Sequence, residues 1–173
     1  MATHSEILHA DVDADVALTR AFAIAAAVLD PEVPVLTLED LGVLRGVVRR
    51  DGHIVVLLTP TYTGCPATAV IQLAVEMALL AAGIPNAVVQ TVLSPPWTTD
   101  DLTAAGRAKL LAYGIAPPGK GSPAMLFADE QVACPKCRSL QTQKISEFGS
   151  TACKAQWRCE ACREPFDYFK CHR

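Results

Sequence analysis

Apolar and polar positions along the 173-residue chain change period several times. Val16–Leu29 (VALTRAFAIAAAVL) is rich in helix formers and predicts a helix. It must stop at DPEVP, because Pro31 disfavours helix at Asp30 and Pro34 prevents its resumption. GVLRGVVRRDGHIVVLL then holds two β-branched runs around Asp51-Gly52, a two-residue hairpin signal, with the second strand over Ile54–Leu58. After TPTYTGCP a helix starts near Ala67 and closes with Gly83 as a left-handed cap and Pro85 just beyond. Ala87–Leu93 reads as a third strand and SPPW as a breaker. TTDDLTAAGRAKLLAYG opens with capping residues and acids and ends at Gly114, which predicts a third helix. The order α-β-β-α-β-α describes an α+β domain, a short sheet covered by helices. It occupies residues 1–116, with its core at about 16–116.

Composition changes this picture only at the ends. The chain is 51% hydrophobic and 19% charged, enough for one ordinary domain plus something small. MATHSEILHADVDAD is acidic where a secretory signal needs a basic start and an apolar run. The most apolar segment, Ala67–Ala82, is short for a bilayer and carries Gln72 and Glu76 on one face, so it reads as a core helix. A soluble, cytoplasmic protein is expected. PPGKGSPAM opens a linker over 117–130. Residues 1–133 hold 7 Lys+Arg against 14 Asp+Glu, and residues 134–173 hold 8 against 4; these nets of −7 and +4 make up the overall −3. The tail is too weakly basic to argue for nucleic acid.

Six of the seven cysteines lie between Cys134 and Cys171. Without an export signal, that clustering points to metal rather than disulfides. Cys134-Pro-Lys-Cys137 and Cys159-Glu-Ala-Cys162 are two C-x2-C turns, each aiming two thiolates at one point. Together they make the four-sulfur cage that Zn²⁺ prefers, carried on a β-hairpin with Trp157 before the second pair. This is a zinc ribbon over residues 131–173, with one structural zinc per chain; rubredoxin-like iron fits the same ligands. So short a segment cannot build a sufficient core, and the metal takes its place. Cys153 and Cys171 are either packed thiols or a second metal site or redox pair, with His172 as an extra ligand.

One cysteine stands apart. Cys65, between Gly64 and Pro66, reads as the N-cap of the second helix, where unpaired N–H groups would stabilise a thiolate. It is then a metal ligand or nucleophile, or else a buried cysteine in a tight turn. Thr61, Tyr62 and Thr63 add hydroxyls. Asp30 and Glu32, in a loop stiffened by two prolines, form a second polar group, or simply a helix stop with solvated acids. The four histidines, His4, His9, His53 and His172, assemble no triad with Cys65.

DPEVPVLTLEDLGVLRGV followed by TPTYTGCP resembles the domain family of iron–sulfur cluster assembly factors that includes SufT-like proteins. A DPE-x-P loop, an acidic-LG stretch and a T-x3-C-P turn recur there; here they are Asp30–Pro34, Asp40-Leu41-Gly42, and Thr61 through Cys65-Pro66. The match covers about 16–116. The whole chain, with SPPWTTDDLTAAGRAKLLAYGIAPP joined to a ribbon containing FGSTACKA and FDYFKC, resembles the PaaD family of bacterial phenylacetyl-CoA epoxidase systems.

The resemblance implies an accessory role in aerobic phenylacetate catabolism. That system epoxidises phenylacetyl-CoA with a diiron oxygenase, fed by a reductase holding a [2Fe–2S] cluster and a flavin. A PaaD-type component would mature or maintain an iron–sulfur centre of these partners rather than catalyse the oxidation. The residues agree: Glu6-Ile7-Leu8-His9 is a single Glu-x-x-His without the second that a diiron bundle needs, and there is no G-x-G-x-x-G fingerprint. On this reading Cys65 touches iron or a cluster in transit, with Asp30, Glu32 and Thr61 around it. A lone cysteine cannot hold a [2Fe–2S] cluster, so transient binding needs a homodimer or a partner's ligands. The competing expectation is a non-catalytic docking component that binds the oxygenase complex through its ribbon.

Overall fold

The computed structural model describes residues 16–119 and 131–170. The N-terminal arm with His4 and His9, linker residues 120–130, and Cys171 and His172 lie outside the described residues. Helix α1 covers 16–26 and buries Ala21, Ala25 and Ala26, small residues that let its backbone approach the core closely. Arg20 donates to the Ala82 carbonyl at 2.6 Å, placing a cation at the C-terminus of the next long helix.

The hairpin forms as its turn signal requires. Strands β1 (Leu44–Arg50) and β2 (His53–Leu58) pair antiparallel, with Arg50 opposite His53. Asp51 and Gly52 both adopt positive φ, 49° and 80°, the conformation of a two-residue primed turn. β3 (Val88–Thr91) adds parallel to β2, giving a three-stranded sheet with β2 central.

Three elements differ from expectation. A one-turn helix α2 (Leu38–Leu41) precedes β1, held by a capping box in which Thr37 and Asp40 each accept the other's backbone N–H. Its T-x-x-D spacing is the capping-box signature, hidden in an otherwise apolar stretch. The expected third helix is two: a 3₁₀ turn at Thr99–Asp101, then α4 (Ala104–Tyr113). Thr98 and Thr103 both act as caps there, so the capping residues punctuate the segment twice. Helix α3 (Ala67–Ala81) buries only one face, through Val75 and Leu79, because the sheet covers only that side. Val70, Leu73, Met77 and Leu80, at helical spacing on another face, are each more than half exposed.

The ribbon comprises β5 (Thr142–Ser146), β6 (Lys154–Cys159) and β7 (Pro165–Phe169). Short strand β4 (Ile115–Ala116), directly after α4, pairs parallel with β7, so the sheet order is β4-β7-β6-β5. The ribbon therefore rests on the α+β unit. Phe169 and Cys153 pack into the same apolar cluster as Leu41, Leu58, Val75 and Trp97. Trp97 meets the Phe169 ring edge-on, with centroids 6.4 Å apart, and donates its indole N–H to the Leu41 carbonyl at 2.7 Å. A separate cluster around Trp157, Tyr168 and Phe166 fills the ribbon itself.

Candidate functional site

The DPEVP loop is built by Asp30. Its Oδ1 accepts the N–H groups of Glu32 and Val33 at 2.9 and 2.7 Å, and its own N–H donates to the Leu36 carbonyl at 2.9 Å. This Asx turn fixes the loop and points Glu32 back across it. Burial raises the Asp30 carboxyl above the usual carboxylate range, although the Val33 and Glu32 N–H groups oppose the shift.

Cys65 arrives from the other side. β2 ends at Leu58, and residues 59–66 form a loop anchored by the Thr59 N–H on the Val43 carbonyl at 2.8 Å. Arg45 steadies the loop's start, donating to the Thr59 hydroxyl at 3.0 Å and to Asp101 at 2.9 Å. Gly64 has φ 85°, a left-handed conformation that turns the chain into Cys65. The hydrogen-bonded span of α3 begins at Ala67 with Pro66 at the cap, so Cys65 stands one residue before the cap rather than at it. Its carbonyl accepts the Thr68 N–H at 3.1 Å. Pro66 has helical φ and ψ already, and a proline excludes its predecessor from that region.

A pocket of about 30 Å³ brings these pieces together. Asp30, Glu32, Thr61 and Cys65 all line it, with Thr59 and Thr68 beside them and Leu58, Ile71 and Phe169 on its apolar side. The same pocket holds Cys153, for which the sequence leaves a packed thiol, a second metal site and a redox pair open. Its Sγ donates to Glu32 Oε2 at 3.1 Å and lies 3.0 Å from the Thr151 hydroxyl. Burial pushes the Cys153 thiol up to about 12; the Thr151 hydroxyl opposes this, and the carboxylates of Glu32 and Asp30 add to it. Tyr62 is also pushed up to about 12, by burial and then by the Cys65 sulfur, with smaller contributions from Glu32 and Cys153. No spacing rule could have joined Cys153 to Glu32, 121 residues earlier; the packing of the ribbon on the α+β unit does so, through β4–β7 pairing and the burial of Cys153 and Phe169 in that unit's core. His53 sits at the hairpin end and does not line this pocket.

The tail holds the second site. Ligand atoms of Cys134, Cys137, Cys159 and Cys162 all lie within 4.8 Å of one another. Cys134 and Cys162 sulfurs are 3.8 Å apart, and those of Cys137 and Cys159 are 3.5 Å apart. A tetrahedral zinc with Zn–S bonds of about 2.3 Å needs sulfur separations of about 3.8 Å, so the quartet fits the ion. Both knuckles close alike: Arg138 and Arg163, each following the second cysteine, adopt φ 65° and 63°. The Cys162 N–H on Cys159 Sγ at 3.5 Å is the main cause that brings the Cys159 thiol down to about 7. All four positions are filled by sulfur, which makes the site structural, with none left for substrate.

Fold and sites together define an iron–sulfur-assembly-type α+β domain carrying a zinc ribbon. Residues 22–93 match the family model described as "Iron-sulfur cluster assembly protein", and residues 119–170 match the "PaaD zinc beta ribbon domain". The α+β unit is similar to the crystal structure of a domain of unknown function, DUF59, from Bacillus anthracis. The TM-score is 0.52 at 23% identity, over 58% of this chain and 96% of that one, a likeness of fold. Across 150 residues the chain is 47% identical to a putative 1,2-phenylacetyl-CoA epoxidase subunit of Escherichia coli (strain K12), covering 87% of this chain and 90% of the relative. The chain belongs to the PaaD family of phenylacetyl-CoA epoxidase subunits. Among the described residues no helix is long and apolar enough to cross a membrane.

Proposed function

We propose that the chain is an accessory protein of a phenylacetyl-CoA epoxidase system that handles iron, alone or within a cluster, on its way to the reductase or oxygenase component. The observation that carries this reading is the meeting of Cys65 with Glu32, Asp30 and Thr61 around one small pocket in the iron–sulfur-assembly-like unit. The pocket is of ion size, about 30 Å³, far too small to seat a CoA ester. Its size and its sulfur and carboxylate lining favour a metal cargo. Asp30 holds the loop in shape, Glu32 presents a carboxylate, and Cys65 supplies the thiolate that contacts the cargo. Zinc at the ribbon holds β5–β7 in place and takes no part in transfer.

A docking role is the second reading. It is favoured by exposed apolar side chains on the ribbon, Leu140, Ile145 and Phe148, and separately by the exposed stripe of α3. Those faces could seat the epoxidase components or a second copy of the chain. One experiment separates the two readings: Cys65→Ser in cells expressing the epoxidase components, with iron and acid-labile sulfide measured in the purified reductase. Cargo handling predicts a well-folded variant and a reductase depleted of cluster. Full occupancy would sink that reading and leave docking, which predicts unchanged co-purification of the components.

A further inference from the structure

We propose that Cys153 is the second thiol of the Cys65 pocket, so that the two units jointly form a binding site for a thiophilic divalent metal ion, Fe(II) foremost. The choice of iron rests on the function proposed above; the donor set does not.

Three observations carry it. Cys153 belongs to the ribbon, yet it is buried in the core of the α+β unit and lines the same pocket as Cys65. Its Sγ points at Glu32 Oε2, 3.1 Å away, so a sulfur and a carboxylate from opposite ends of the chain converge. Asp30 and Thr61 line the same pocket, so oxygen donors stand beside both sulfurs. Two sulfurs and a carboxylate suit Fe(II), Co(II) or Zn(II) better than Mg(II) or Ca(II), which favour all-oxygen shells.

This set differs in kind from the ribbon quartet. Among the described residues only the ribbon cysteines form a group of three or more ligand atoms all within 4.8 Å of one another. The pocket offers three such donors, spaced more widely than one ion spans, so the ion must draw them together, and a four-coordinate ion then keeps one position for a recipient's ligand. A site that must release its metal needs that incompleteness. Binding forms one metal–sulfur bond to each cysteine and displaces any proton the thiols carry, with no electron transferred. The proton of each thiol leaves to solvent as its metal–sulfur bond forms.

The test is anaerobic titration of Co(II) into the full-length chain with its ribbon already zinc-filled, followed by the near-ultraviolet thiolate-to-cobalt absorption. Wild type should take up one Co(II) per chain beyond the zinc. Cys153→Ser and Cys65→Ser should each lose about half of that absorption and bind about tenfold more weakly or worse. Should Cys153→Ser not fold, Cys153→Ala, checked by zinc content and circular dichroism, serves in its place. If the Cys153 variant titrates like wild type while Cys65→Ser loses the cobalt, Cys153 is no ligand and the proposal falls, with the cargo reading untouched. Absence of any cobalt beyond the ribbon in wild type overturns it as well. Failure of the cargo reading shows elsewhere, in the reductase's cluster content.

Discussion

The α+β unit and the ribbon reach a folded state by opposite routes. In the first, α1, α2, α3 and the sheet enclose a contiguous apolar cluster that includes Leu36, Leu38, Val56, Val75, Leu79 and Leu110, all essentially inaccessible to solvent. Burial on that scale offsets chain entropy without help. The ribbon buries little beyond Trp157, Tyr168, Phe166 and two of its cysteines. Its knuckles bring sulfurs together at separations that make sense only around a cation. The difference matters because the ribbon lends Cys153 and Phe169 to the other unit's core. The ribbon thereby contributes two side chains to a pocket in the other unit.

The strongest way to break this comparison is to remove the zinc. Chelation, or Cys137→Ser, should unfold β5–β7, because structural zinc in such sites supplies folding free energy on the order of 10 kcal/mol. Amide exchange should lose protection throughout the ribbon and at β4, which pairs with β7, while β2 and α3 remain protected. A ribbon that keeps its protection without metal would mean that its small core suffices, and the contrast between the units would vanish.

Much of this architecture is legible in the sequence. Periodicity and punctuation locate α3, the Asp51-Gly52 hairpin and β3, because each depends on local rules of turns and caps. The C-x2-C pairs locate the ribbon metal for the same reason. Cys65, Asp30, Glu32 and Thr61 each carry a signal in their own short motif, although nothing in those motifs shows that they meet. What stays hidden is whatever depends on long-range docking. Cys153 sits in a loop before β6, where FGSTACKA leaves its role open, and its partner Glu32 lies in the first unit. Trp97 reads as part of a breaker, yet it pins the Leu41 carbonyl and meets Phe169. Helix α2 is a single turn with too little periodicity to detect, leaving its Thr37–Asp40 box as the one cue.

Phe169 sharpens the comparison, since it belongs to one unit by strand and to the other by packing. Phe169→Ala should cost about 3–5 kcal/mol, as for other fully buried aromatic truncations. The two tryptophans report separately: Trp97 lies against Phe169, and Trp157 sits inside the ribbon. Urea unfolding followed by fluorescence of single-tryptophan variants should give coincident transitions with Phe169 present. With alanine there, the Trp97 transition should move to lower urea and separate from that of Trp157. Coincident transitions in both backgrounds would show that β4–β7 pairing alone couples the units.

The smallest of these effects concerns charge inside the α+β unit. Burial of Asp40 opposes its ionisation, but the Lys109 ammonium and the Thr37 N–H and hydroxyl outweigh that and hold its carboxyl below the ordinary 3.8. A carboxyl whose folded value is depressed stabilises the protein above its unfolded value, and the contribution disappears as pH falls through the folded value. The contribution is therefore complete at neutral pH and declines below about pH 4. Asp40→Asn keeps the shape but gives up the charge and one accepting oxygen, so about 1–3 kcal/mol should be lost at pH 7. The deficit should narrow as acid neutralises Asp40 in the wild type, measured as urea midpoints of the two proteins from pH 7 down to pH 3. Because Asp40 lies in α2, far in sequence from any ribbon cysteine, zinc content should be the same in both at neutral pH. A variant whose deficit stays constant with pH would mean that the Thr37 and Lys109 contacts act through packing rather than through the carboxylate's charge.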